Sequence, residues 1–228
     1  MKRITHFMMT GLILVLFGFA SSCKPAPQAE ETPATIPAAA YKAWLVQSTV
    51  ASYPVWKDVY TSRDSVRRSY GMTTQFIARG TEDTNTVLVM NKITDVQKVK
   101  EFSASPDLKM AMEKAGVTGA PTISFLDVVR DDTSTIAQND RVIVAHKVKD
   151  YDAWLKVFDG EGMAKRAENG IVDRGLARDI DDPNKVYIVF AITDKAKAMA
   201  RMQSEELKKL MVDGGVEGEP SFFFYTRQ

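Results

Sequence analysis

The sequence contains very little of the chemistry that metal sites and many enzymes use. Among 228 residues there are one cysteine and two histidines. His6 lies in an N-terminal apolar segment, so removal of that segment would leave only His146. Zinc and copper sites normally need several imidazole or thiolate ligands, and a cysteine nucleophile needs a free thiol. The composition argues against a metal site and against a cysteine enzyme.

The chain also lacks an excess of either charge. It has 30 Lys and Arg against 29 Asp and Glu, and loss of Lys2 and Arg3 with a signal peptide would leave 28 against 29. A near-neutral balance gives no support for nucleic-acid binding. No phosphate-binding or dinucleotide-binding glycine motif precedes a helix, so no cofactor is expected.

The N-terminus has the order of a secretory signal. Lys2 and Arg3 precede an apolar run of 14 residues, 7–20, and small residues then lead to Cys23. A membrane-spanning helix needs about 20 apolar residues, so a retained span is the weaker interpretation. We expect residues 1–22 to be a signal peptide.

Residues 20–23, Ala-Ser-Ser-Cys, resemble the lipobox of bacterial lipoproteins, although the usual leucine is replaced by Ala20. The resemblance implies cleavage before Cys23, a diacylglycerol on its thiol and palmitate among the acyl chains. Acyl chains contribute about 0.8 kcal/mol per buried CH₂, and two together hold a protein stably on a bilayer. The expected location is the bacterial cell envelope, with the membrane as partner. The alternative is an ordinary signal cleaved nearby, leaving Cys23 free.

Residues 23–40 are rich in Pro, Ala, Glu and Thr and contain almost no large apolar side chain. Such a segment cannot bury enough surface to fold, which indicates a disordered tether. About 185 residues remain from Tyr41 onward, enough for a proper core.

The remaining chain consists of two similar halves. Trp56 matches Trp154 at an offset of 98, and one extra residue before Gly170 shifts the offset to 99. At that offset the segment Gly116-Val117-x-Gly119-x-Pro121 is found again at 215–220. The pattern predicts a tandem duplication, with one unit over 41–130 and the other over 139–228.

Each half is predicted to fold as β-α-β-β-α-β, the ferredoxin-like unit. In the second half, residues 141–148 alternate as a strand does, and Asp150 is a suitable cap for a helix that Gly170 ends. A unit of this kind carries helices on one face of its sheet only, so the other face must be covered. We therefore predict an α+β fold in which two tandem units pack sheet to sheet within one chain.

Three segments of the second half, 146–159, 181–194 and 204–220, resemble the dimeric α/β-barrel proteins related to antibiotic biosynthesis monooxygenases and stress-responsive barrel domains. The resemblance implies a barrel between two ferredoxin-like units, here made by one chain acting as its own pseudo-dimer. That superfamily includes cofactor-free monooxygenases, haem-degrading enzymes and proteins of unknown activity. We find no match to the Asn, Trp and His residues of the haem-degrading members.

His146 is the candidate catalytic residue, because imidazole can transfer protons near neutral pH. It shares a strand face with Val142, Val144 and Val148. If that face lines the space between the halves, His146 could act as a general base on a bound substrate. If the face meets the helices, His146 is a core imidazole with a hydrogen-bonded partner.

Arg79, Arg174 and Arg178 are the candidate ligand-binding residues. Arg79 and Arg178 occupy matching places on the second strand of each half, and Arg174 lies four residues before Arg178 on the same face. Guanidinium groups bind anions well, whereas a surface ion pair is the alternative use. Trp56 and Trp154 have the spacing of core residues.

Three functions are consistent with these features. The first is a lipid-anchored, non-catalytic protein with a cavity for a small apolar ligand between its halves. The second is a cofactor-independent monooxygenase-like enzyme acting on an aromatic or polyketide-like substrate through His146 and an arginine. The third is a structural envelope protein without a cavity.

Overall fold

The computed structural model describes residues 35–228. The predicted signal peptide and Cys23 lie outside the described residues. Among the residues that are described, no helix is long and apolar enough to cross a membrane.

Within residues 35–228, eight strands and eight helices follow the predicted order. The strands are β1 (Ala38–Val50), β2 (Met72–Gly80), β3 (Thr86–Ile93), β4 (Val117–Asp131), β5 (Asp140–Val148), β6 (Ile171–Asp179), β7 (Lys185–Ile192) and β8 (Val216–Arg227). The helices are α1 (Tyr53–Ser62), α2 (Asp64–Ser69), α3 (Val96–Ser103), α4 (Pro106–Lys114), α5 (Tyr151–Glu161), α6 (Met163–Glu168), α7 (Lys195–Met202) and α8 (Glu205–Asp213). Each predicted helix is thus divided into two short ones.

The helix boundaries have local causes that the sequence indicates. The Asp150 carboxylate accepts a hydrogen bond of 2.7 Å from the amide of Ala153, as expected of the cap of α5. The Ser204 hydroxyl accepts one of 3.2 Å from the amide of Leu207 and begins α8. Gly170 follows α6 with a φ of 73°, a conformation that glycine adopts without strain.

The eight strands form one closed, antiparallel barrel in the order β1-β3-β2-β8-β5-β7-β6-β4. Within each half the strand order is the ferredoxin-like one, β4-β1-β3-β2 and β8-β5-β7-β6. The halves also join through hydrogen bonds, because β2 pairs with β8 and β4 pairs with β6. Closure leaves the sheet without a free edge in the part of the chain that the structure describes.

Alternation along the strands separates two apolar layers. Side chains from both halves meet inside the barrel, among them Leu45, Leu88, Leu126, Ile143 and Tyr187. The opposite strand faces pack against the helices, where Trp56 and Trp154 are buried as expected of core residues. The interior of the barrel is therefore the space between the halves.

Two boundaries differ from the expectation. The predicted tether, 23–40, ends early, because β1 begins at Ala38 and Ile36 is buried against the helix-side core of the second half. The last strand of each half begins at Val117 or Val216, so Gly119 and Pro121 lie inside β4 instead of before it. Gly119 takes a φ of 76° there.

Candidate functional site

The largest described cavity lies inside the barrel and has a volume of about 450 Å³. Both halves line it, and its apolar wall includes Leu45, Phe76, Met90, Ile143, Val189 and Tyr225. Ligand sites commonly have volumes of roughly 300–1,000 Å³ and mostly apolar walls with a few polar groups. The cavity fits that description.

One end of the cavity is polar. It lies where β1 and β5 begin and β4 and β8 end, and residues of the connection 132–139 also line it. Arg130, Arg141, Arg174 and Arg227 reach this end together with Asp131 and Asp132. The cavity therefore has an apolar body and a charged mouth.

Arg174 is the only predicted ligand-binding residue that lines the barrel cavity within the described chain. Its Nη1 donates a hydrogen bond of 2.6 Å to the Asp132 carboxylate, and its Nη2 donates one of the same length to the Asp132 carbonyl oxygen. It also donates to Ser134. Most of its guanidinium is thus engaged in holding the connection between the halves.

Arg79 and Arg178 lie outside the cavity and make matching contacts. Each Nε donates a hydrogen bond of 2.7 Å to a loop carbonyl five residues later, that of Thr84 or Pro183. The Arg79 guanidinium lies 4.2 Å from the ring centre of Tyr53, and that of Arg178 lies 3.8 Å from the ring centre of Tyr151. Each of these arginines thus joins a β-hairpin loop to the start of a helix. Among the described residues, neither arginine forms the surface ion pair that was the alternative, and neither lines the cavity.

His146 lies on the helix side of β5 and not in the barrel. It lines a smaller apolar pocket of about 100 Å³ together with Trp154, whose ring centre is 5.7 Å away. Neither imidazole nitrogen has a hydrogen-bond partner in the described structure, although the residue is only 8% exposed. Burial lowers the pKa of His146 to about 4 from its ordinary 6.5, so the ring is neutral at pH 7.

A matching pocket of about 90 Å³ lies between the sheet and the helices of the first half. Ser48, Trp56 and Val59 take the places that His146, Trp154 and Val157 take in the second half. The two helix-side pockets are thus placed alike but differ in chemistry.

Three charged side chains, Glu161, Arg166 and Arg201, line the second helix-side pocket, and Asp173 pairs with one of them. Arg166 donates hydrogen bonds of 2.8 and 2.6 Å to Asp173, and Glu161 accepts from both Arg166 and Arg201. Arg166 also donates to the carbonyl of Phe158 and lies over that ring, as Arg67 does with Tyr60. The network was not predicted, although acids and bases spaced along α5, α6 and β6 were visible.

Arg141 and Arg227 line the cavity but were not among the residues predicted from the sequence. Strand alternation places Arg141 on the same face as Ile143, and Arg227 on the same face as Tyr225. At the corresponding positions the first half has Ala43 and Val128, so the arginines are departures from the similarity between halves. That comparison could have identified them.

No metal site is found in the described part of the chain: no three His, Cys, Asp or Glu side chains lie close enough together to hold an ion.

No family model matches the sequence, and no curated protein matches it at a significant level. Solved structures do match the fold. An anthrone oxidase-like protein superposes with a TM-score of 0.59 at 14% identity, over 84% of this chain and 94% of that one. A candidate monooxygenase from Fusobacterium nucleatum gives 0.53 at 14% identity, over 83% and 93%. One from Lactobacillus acidophilus gives 0.50 at 14% identity, over 82% and 94%.

These solved structures share their fold with this chain, and two of them are described as monooxygenases, the class of protein that the sequence resemblance implied. At this level of identity the likeness concerns the fold. Function must be argued from the cavities of this chain.

Proposed function

We propose that this chain is a small-molecule-binding protein that takes its ligand inside the barrel, between two halves that arose by duplication. The single observation that carries the proposal is the cavity of about 450 Å³, which both halves line. The space is not filled by side chains, which counts against a purely structural role. Apolar side chains there would bind the body of a ligand by removing its surface from water.

Paired contacts support the proposed duplication. Arg79 and Arg178 each contact a loop carbonyl and a tyrosine ring in the same way. Arg67 contacts the backbone and ring of Tyr60, and Arg166 makes the same contacts with Phe158. Two tandem units that pair their edge strands within one chain would make the intrachain equivalent of a dimeric α/β barrel.

A lipid anchor at Cys23 completes the proposal. It would hold the barrel at a membrane of the bacterial cell envelope, on a tether that ends before Ile36. This part is supported by the sequence of the first 34 residues alone.

The proposal is tested with Val189→Phe, which places a ring in the cavity. Binding of the neutral dye Nile red should weaken in this variant and remain unchanged in Val212→Phe, whose site is 75% exposed on α8. Equal binding by both variants would contradict the proposal. Native mass spectrometry of protein purified from its own host would show which molecule occupies the cavity.

A monooxygenase-like enzyme is the second candidate, and His146 is the observation that favours it. The neutral imidazole has no hydrogen-bond partner among the described residues, so its unprotonated nitrogen is available to accept a proton from a substrate in this apolar pocket, although its lowered pKa makes it a weak base. The pocket of about 100 Å³ is small for an aromatic substrate, however, so we rank this function second. Turnover that His146→Ala abolishes while Nile red binding persists would reverse that order.

A further inference from the structure

The polar mouth of the barrel contains two guanidinium groups without a carboxylate partner. Among residues 35–228, neither Arg141 nor Arg227 lies within ion-pair distance of an acid. Arg141 is only 5% exposed, and its Nη1 donates to the backbone carbonyls of Gln138 and Asp140. A buried charge is normally paired, because burial removes it from water at a large cost in free energy.

The two arginines are neighbours on adjacent strands. Arg141 of β5 lies directly opposite Tyr225 of β8, and Arg227 lies two residues farther along β8 on the same face. Diagonal positions of this kind are about 7–8 Å apart, which long side chains can span. Burial is the main cause of the lowered pKa of Arg141; Tyr225 and Asp140 oppose it, and the positive charges of Arg174 and Arg227 add to it.

The acids at the same end already have partners. Asp131 accepts a hydrogen bond of 2.8 Å from the Tyr41 hydroxyl, and Asp132 pairs with Arg174 at 2.6 Å. The carboxylate of Asp140, next to Arg141 in the chain, accepts one of 2.8 Å from Thr226. The hydroxyls of Tyr41 and Thr226 are neutral, so Asp131 and Asp140 keep their charges, but among residues 35–228 no acid at this end is placed to pair with Arg141 or Arg227.

We propose that the barrel cavity takes an amphiphilic organic anion, whose apolar body lies among the barrel side chains and whose carboxylate binds Arg141 and Arg227. This inference rests on the proposed function, since it assigns the chemical class of the ligand for the same cavity. Charge-assisted hydrogen bonds to guanidinium hold a carboxylate strongly and with defined geometry. The apolar wall beyond, with Leu45, Met90 and Val189, accommodates an alkyl or aromatic body.

The test compares two probes of equal length, decanoate and decan-1-ol, as competitors of Nile red on the full-length protein. Decanoate should displace the dye at a lower concentration than decanol. Arg141→Gln should weaken decanoate binding roughly tenfold to a hundredfold and leave decanol binding nearly unchanged. Arg79→Gln, which removes a half-buried arginine outside the cavity, should change neither.

Arg227→Gln provides a second measurement, because Arg227 is exposed and its loss should not impair folding. It should lower the preference for decanoate in the same direction. If both arginine variants fold and keep the wild-type preference, or if the two probes bind equally to the wild type, the anion proposal is wrong while cavity binding stands.

Other outcomes separate the two proposals. If the wild type binds neither Nile red nor either probe, or if Val189→Phe affects none of them, the proposed function itself fails. Arg141-dependent sedimentation with phosphatidylserine vesicles, without displacement of the dye by decanoate, would show that the arginines bind a lipid surface. That result would also overturn the anion proposal.

Discussion

Arg166 and Asp173 form a two-pronged ion pair, with hydrogen bonds of 2.8 and 2.6 Å, that is buried between α6 and β6. Glu161 and the carbonyl of Phe158 take up the remaining donors of one Arg166 nitrogen. Arg166 also lines the helix-side pocket that contains His146. Removal of either partner would leave the other charge buried without its matched partner.

Asp173→Asn should therefore lower the free energy of unfolding by about 3–5 kcal/mol, the usual cost of removing one partner of a buried pair. Urea unfolding of the variant measures this loss. Lys209→Gln serves as the control, because its pair with Asp213 on α8 is exposed and should contribute less than about 0.5 kcal/mol. Similar midpoints for the two variants would contradict the prediction.

The buried His146 should make stability depend on pH in a definite window. The folded protein keeps the ring neutral down to about pH 4, whereas the unfolded chain binds a proton near pH 6.5. Protonation of His146 therefore does not affect the free energy of unfolding above pH 6.5. As the pH drops from 6.5 toward 4, this group lowers the free energy of unfolding by about 3 kcal/mol at most. Unfolding of wild type and of His146→Phe at several pH values should show that the variant loses less over this window. Parallel curves would show that His146 is not the titrating group.

Alanine substitutions at Gly170 and Gly218 should separate the destabilising effect of a close contact from that of backbone strain. Both have positive φ, 73° and 68°, but a Cβ at Gly170 would lie 2.5 Å from the carbonyl oxygen of Asp194, whereas one at Gly218 meets nothing within 4 Å. Gly218→Ala should cost about 1–2 kcal/mol from the left-handed conformation alone. Gly170→Ala should cost distinctly more, because the chain must also move. Thermal unfolding of the two variants measures the difference, and equal losses would contradict the close contact.

Cys23→Ser tests the predicted lipid anchor. The variant should leave the membrane fraction for the soluble fraction of the cell envelope, because acyl chains provide the attachment. Fractionation followed by immunoblotting measures this, and mass spectrometry of the wild type should show the added acyl mass. Ser22→Ala is a suitable control, since a small residue is retained before the cysteine. An unchanged membrane fraction for Cys23→Ser would contradict lipidation.

The candidate site was predictable only in part. Arg174 was identified from its strand position and does line the cavity, whereas Arg79 and Arg178 were chosen by the same reasoning and lie outside it. Arg174 and Arg178 were expected on the same face of β6, which was wrong, because a register irregularity between Asp173 and Gly175 separates them. Alternation also does not show which face of a strand turns inward. For the same reason His146 was open to two interpretations. The structure places it on the helix side, yet without the hydrogen-bonded partner that this interpretation included.

The sequence by itself determined the order of strands and helices, the cap at Asp150, the turn at Gly170 and the similarity of the halves. These features depend on local backbone preferences and on periodicity, which a few neighbouring residues specify. Only the tertiary structure decided that β2 meets β8 and β4 meets β6, because strand pairing joins residues far apart in the chain. That closure turns Leu45, Ile143 and Arg141 toward a common interior. It thereby creates the cavity on which the proposed function depends.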